Sequence, residues 1–108
     1  MEKKLGEFEQ LVLLALFRLR EEAYGTTIRQ DIEKRTGREI SIGALYTTLD
    51  RLEHQGLIRS RVGDPTPQRG GRRKKYFILK PLGERALAES FRAFKGMIAG
   101  LESKLEKL

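Results

Sequence analysis

Seven basic residues and one acid fall between Arg59 and Lys75, so six of the seven net positive charges sit in one short stretch. The bases are Arg59, Arg61, Arg69, Arg72, Arg73, Lys74 and Lys75, opposed only by Asp64. The rest of the chain is close to neutral. Charge that serves solubility is spread over a surface, whereas charge gathered in this way suits a polyanionic partner. The plainer alternative is a solvated loop between strands. Gly70 and Gly71 let the stretch turn tightly and approach a backbone. An arginine at such a tip can enter a minor groove or clamp phosphate. Arg69, Gly70, Arg72, Arg73 and Lys74 are therefore candidate nucleic-acid contacts.

A second set of residues has complementary chemistry. A helix that reads base edges must enter a major groove about 12 Å wide, so its leading turns need small or hydrogen-bonding side chains. Ser41, Gly43, Ala44, Thr47 and Thr48 meet that need, and Arg51 follows one turn after Thr47 for phosphate or guanine. Tyr46 lies nearer the apolar side, where its hydroxyl reaches a backbone only from the edge. An ordinary exposed helix surface would explain the threonines alone, but not the neighbouring basic stretch.

Catalytic chemistry has little to work with. The chain has no cysteine and one histidine, His54, four residues after Asp50 and without a nucleophile or third ligand at a convincing spacing. No G-x-x-x-x-G-K phosphate loop is present. Neither enzyme activity, a metal site nor a cofactor is expected. The longest apolar run, Leu11 to Phe17, falls well short of the roughly 20 residues of a membrane span. The charged start, Met1 to Leu5, does not resemble a signal peptide. The expectation is a cytoplasmic protein with no membrane partner.

The elements that must position these residues follow from periodicity and punctuation. Gly6 to Arg20 reads as a helix opened by Glu7 and Glu9 and closed by Arg18 and Arg20, as the helix dipole favours. Phe8, Leu11, Val12, Leu14, Ala15 and Leu19 form its main apolar face, and Leu13, Leu16 and Phe17 extend it nearly all round. Such a helix is buried on more than one side. Tyr24 to Thr36 is a shorter helix with Gly37 after its end. Arg38 to Ile40 has the makings of a short strand, and Ser41 is a good N-cap for a third helix ending at Gly56. Leu57 to Val62 alternates like a strand and Lys74 to Leu79, rich in Tyr76, Phe77 and Ile78, is the return strand, with Pro65, Pro67 and the glycine pair forming a hairpin loop between them.

The last helix starts at Pro81. Leu87, Phe91, Phe94, Ile98, Leu101, Leu105 and Leu108 then alternate spacings of four and three, the 3.5-residue repeat of a coiled-coil seam. A lone helix would leave these side chains wet, at roughly 1.5–3 kcal/mol each. Pairing with a second copy is the expected remedy, with Gly96 and Gly100 as weak points where the helix can bend. The fold class is thus mainly α with a small β-hairpin (α+β). It is a winged helix-turn-helix over residues 1–80, with a C-terminal dimerisation helix over residues 81–108.

Five segments in order resemble the PadR family of transcriptional regulators. They are Leu5-Gly-Glu-Phe-Glu, Ala23-Tyr-Gly, Ser41-Ile-Gly-Ala-Leu-Tyr-Thr-Thr-Leu-Asp-Arg-Leu-Glu, Gly56-Leu-Ile and Arg69-Gly-Gly-Arg-Arg-Lys-Lys-Tyr-Phe. Lys80 departs from the pattern, since winged helices of this type often carry a threonine cap there. The resemblance implies a homodimeric repressor on a palindromic double-stranded DNA operator. Ser41, Tyr46, Thr47 and Thr48 would contact that operator, together with the wing from Arg69 to Arg73. Proteins of this family respond to varied ligands, often small aromatic ones, and some to none. The extra apolar faces of the first and last helices could form a pocket for a hydrophobic or aromatic effector. The alternatives from other classes are a basic RNA-binding, ribosome-associated module and a protein-interaction module using the seam alone.

Overall fold

The computed structural model describes residues 4–63 and 73–108. Its elements are α1 (Glu7–Leu19), α2 (Gly25–Thr36), α3 (Ile42–His54), β1 (Ile58–Val62), β2 (Lys75–Leu79), α4 (Pro81–Ile98) and α5 (Glu102–Glu106). A 3-10 turn, Arg20–Glu22, follows α1. Among the described residues, no helix is long and apolar enough to cross a membrane.

Helix α1 runs through the centre. Val12, Leu13, Ala15 and Leu16 are buried, and they meet Ile28 of α2, Leu45, Leu49 and Leu52 of α3, and Phe77 of β2 in one core. The sides of α1 are thereby corrected. Leu13 and Leu16 belong to the core, while Leu14 and Phe17, at 40% and 44% exposure, form the second apolar side. Glu9 falls on the core side, three and four residues before Val12 and Leu13, and is buried.

The expected strand at Arg38 to Ile40 does not form; these residues are irregular, and Ile40 seals the core edge. Its backbone amide donates to Glu33 of α2 at 2.8 Å, so a side chain takes the place of a strand partner. The pairing that does occur lies elsewhere. Strands β1 and β2 are antiparallel, with Ile58 opposite Leu79, Ser60 opposite Phe77 and Val62 opposite Lys75. Beyond them, Phe77 N donates to the Ala23 carbonyl at 2.9 Å and Tyr24 bridges Tyr76, a rudimentary third strand that anchors the hairpin to the start of α2.

Helix α4 docks by close backbone approach. Gly83 lies against the Leu57 carbonyl, where a Cβ would overlap the oxygen. Gly83→Ala is therefore expected to lower stability by about 1–3 kcal/mol, the usual cost of overpacking. The midpoint of urea unfolding checks this, and an unchanged midpoint would refute the contact.

The C-terminal seam is not one continuous helix. Helix α4 ends at Ile98, Gly100 takes a left-handed φ of +83°, and α5 starts afresh at Glu102. A glycine supplies that conformation at no steric cost, and it redirects the axis. Leu87 is also reassigned, since it is 8% exposed and belongs to the chain's own core. Phe91 and Phe94 remain exposed on α4, and Leu101, Leu105 and Leu108 are exposed beyond it.

Candidate nucleic-acid interface

Helix α3 is set by a cap and an apolar stripe. The Ser41 hydroxyl accepts from the Ala44 amide at 3.0 Å, so one of the unpaired donors of the first turn is satisfied. Leu45, Leu49 and Leu52 bury the opposite side. Ser41, Gly43, Ala44 and Thr47 are exposed together, and Asp50, Arg51 and His54 continue the same open side toward the C-terminus. A surface this small at its leading turn can approach another molecule's backbone closely.

Three of the expected contacts behave differently from the sequence pattern. Thr48 is 4% exposed and faces the core, so it is removed from the contact surface. It stands at 100° from Thr47, and that single step carries it over the edge of the stripe. Tyr46 is exposed at 38% but lies across the start of α2, where a Cβ on Gly25 would run into its ring and hydroxyl. Its ring also tilts against Phe77, 6.3 Å between centroids. Arg51 is half-exposed, and its Nε donates to the buried Glu9 carboxylate at 3.1 Å. It is not a free cation on the helix surface.

Of the basic loop, Arg69, Gly70 and Arg72 lie outside the described residues, while Arg73 and Lys74 are exposed at its return. The base of the hairpin is ordered by aromatic contacts. The Lys74 ammonium sits 4.4 Å from the Tyr24 ring centroid and 3.3 Å from its hydroxyl. The Arg61 guanidinium lies 4.7 Å from the Tyr76 centroid, and the two tyrosines meet edge to face at 5.4 Å. These cation–π contacts seat one positive charge against each of the two tyrosines. Sequence reasoning missed Tyr24 and Tyr76 as supports for the wing. The only available signal was that both are aromatic next to basic or glycine neighbours. Glu9 was missed as well, although an acid in register with Val12, Leu13 and Leu16 marks a buried carboxylate in need of a cation.

Away from this face, Leu14 and Phe17 of α1 meet Leu79, Leu87, Ala88 and Phe91 around an apolar cavity of about 450 Å³. Glu84 is the charged residue in its lining.

Known proteins resemble this chain in sequence and in fold. A curated Mycobacterium tuberculosis protein, Transcriptional regulator Rv3488, is 38% identical over 76 residues. The alignment covers 68% of this chain, and the chain spans 64% of the length of that relative. A PadR family transcription regulator from hypervirulent Clostridium difficile superposes with a TM-score of 0.75 at 24% identity, covering 93% of this chain and 99% of the other. A PadR family transcriptional regulator from Eggerthella lenta reaches a TM-score of 0.67 at 31% identity, covering 94% and 88%. A winged-helix DNA-binding protein from STIV, at 22% identity and a TM-score of 0.71, shares the fold across 91% of this chain and 98% of its own. The fold is therefore a winged helix, and with the family's model matching residues 12–89, the chain belongs to the transcriptional regulator PadR-like family.

Proposed function

We propose that this chain is a sequence-specific double-stranded DNA-binding repressor that acts in the cytoplasm as a homodimer on a pseudo-palindromic operator. The observation that carries this is the open side of α3, with its capped first turn and small residues, next to a hairpin whose basic side chains are held in place by tyrosines. Ser41, Gly43, Ala44 and Thr47 approach base edges, and Tyr46 reaches the backbone from the side. Arg73 and Lys74, with Arg69, Gly70 and Arg72 of the loop, meet phosphate or the minor groove. Residues 1–80 form the DNA-binding unit. Residues 81–108 pair with a second copy through Phe91, Phe94 and Ile98, extended by Leu101, Leu105 and Leu108. In such a dimer the two α3 helices stand about 34 Å apart, one turn of duplex. The cavity between α1 and α4 suits a small hydrophobic or aromatic effector, since it is apolar and within the usual volume of ligand sites. An RNA reader needs free aromatic faces for stacking, whereas Tyr24 and Tyr76 are half-buried and covered by Lys74 and Arg61.

The experiment is a fluorescence-anisotropy titration against the protein's own upstream duplex, with random duplex as competitor. Tight binding that random duplex fails to displace supports the proposal, and equal loss to random duplex refutes it. Residue roles separate in the same assay. Arg73→Ala should weaken cognate and random DNA alike, because phosphate contacts position without specifying. Thr47→Ala should mainly narrow the gap between the two, by about 1–3 kcal/mol if it removes a base contact.

A further inference from the structure

We infer that Glu9 is a positioning residue of the DNA interface, which acts by holding the Arg51 guanidinium ready for a phosphate. The inference rests on the DNA-binding proposal and extends it to a residue on a different helix. Glu9 belongs to α1, 42 positions from Arg51, and is 7% exposed. Its Oε1 accepts the Gly6 amide at 2.8 Å, which closes the first turn of α1, and its Oε2 accepts Arg51 Nε at 3.1 Å. A buried carboxylate is costly without such partners.

The geometry of the pair matters more than its presence. Only Nε of Arg51 is used, and the side chain stays 47% exposed. The hydrogen bond of this pair is donated by Nε and not by either Nη atom. Arg51 lies one turn after Thr47 on the open side of α3. A guanidinium is a planar fork, so fixing Nε in the protein fixes the direction of both Nη groups. A free arginine loses rotamer freedom on meeting a phosphate; this one has largely lost it on folding. Glu9 thereby converts a flexible surface cation into an oriented phosphate donor. A glutamine could not do the same at both ends, because one of its two terminal atoms is a donor facing a donor.

The test is a double-mutant cycle read in the full chain by anisotropy against the upstream duplex at several salt concentrations. Glu9→Gln and Arg51→Ala are each expected to weaken binding about tenfold, as for loss of a charge-assisted hydrogen bond. Each should also reduce the magnitude of the log–log salt slope by about 2, one phosphate contact per subunit of a dimer. Adding Glu9→Gln to Arg51→Ala should then cost less than about twofold, since the group it positions has gone. Arg51→Lys guards against a misfolded Glu9 variant. It keeps a cation for the carboxylate but lacks the fork, so it should fold normally and still lose affinity and slope. The inference is overturned if Arg51→Ala leaves the slope unchanged, or if Glu9→Gln weakens binding equally with and without Arg51. If wild-type protein shows no affinity for duplex, the DNA-binding proposal itself fails and this inference fails with it. Wild-type binding without coupling removes this inference alone.

Discussion

Replacing Phe91 and Phe94 together with glutamate is expected to leave the chain folded, monomeric and weaker for its operator by about 10²–10⁴-fold, the usual value of linking two binding modules. Both rings are exposed, at 62% and 66%, and neither belongs to the core cluster, so the substitution leaves that core intact. Phe91 lines the same cavity as Leu14 and Phe17 of α1, whose side chains are also open. Burying side chains of this size is worth roughly 1.5–3 kcal/mol each, and two carboxylates per subunit would place like charges across the two-fold axis. Sedimentation equilibrium reads the mass and anisotropy the affinity. A double variant that stays dimeric would refute pairing through α4, and a monomeric variant with unchanged affinity would refute the need for a dimer on the operator. Leu87→Ala is the wrong probe for this question, because Leu87 is buried in the chain's own core and its loss would report stability instead.

Salt should have the second large effect. If each subunit meets four to six phosphates, the dimer meets about eight to twelve, and the log–log slope of affinity against salt is about −7 to −11. Affinity would then fall by about 10⁴–10⁶-fold between 50 and 200 mM salt. The charge that produces this is concentrated between Arg59 and Lys75, where six of the seven net positive charges reside. Arg61 and Lys74 are held in place over Tyr76 and Tyr24. Tyr24→Leu should therefore weaken binding without changing net charge, by letting Lys74 move. A slope near zero in wild-type protein would leave the basic hairpin without a role in binding and would refute nucleic acid as the partner.

The first three helices, the hairpin and the start of the last helix were legible in the residues alone. These are local matters. Helical spacing in Leu45, Leu49 and Leu52, the Ser41 cap, Pro81 at the head of α4, alternation in β1 and the aromatic and aliphatic run of β2 all act over a few residues, so they are legible without a partner. Which residues of each element meet something else depends on how the elements pack. Thr47 and Thr48 are the same residue type one position apart, yet one is exposed and the other buried, because the edge of the core falls between them. Leu13 and Leu14 divide in the same way on α1, a helix apolar on nearly every side whose neighbours alone select the core face. The strand expected at Arg38 to Ile40 lost to a pairing at Ala23 and Tyr24, since a strand needs a neighbour and β2 offered its free edge there. Gly96 and Gly100 were both legible as weak points in the seam from Leu87 to Leu108, but only the structure put the break at Gly100, as periodicity records spacing and not where the axis turns. The Glu9–Arg51 pair joins side chains 42 positions apart. No local pattern specifies such a pair, because it exists only where the packing of α1 against α3 brings a buried carboxylate to a cation.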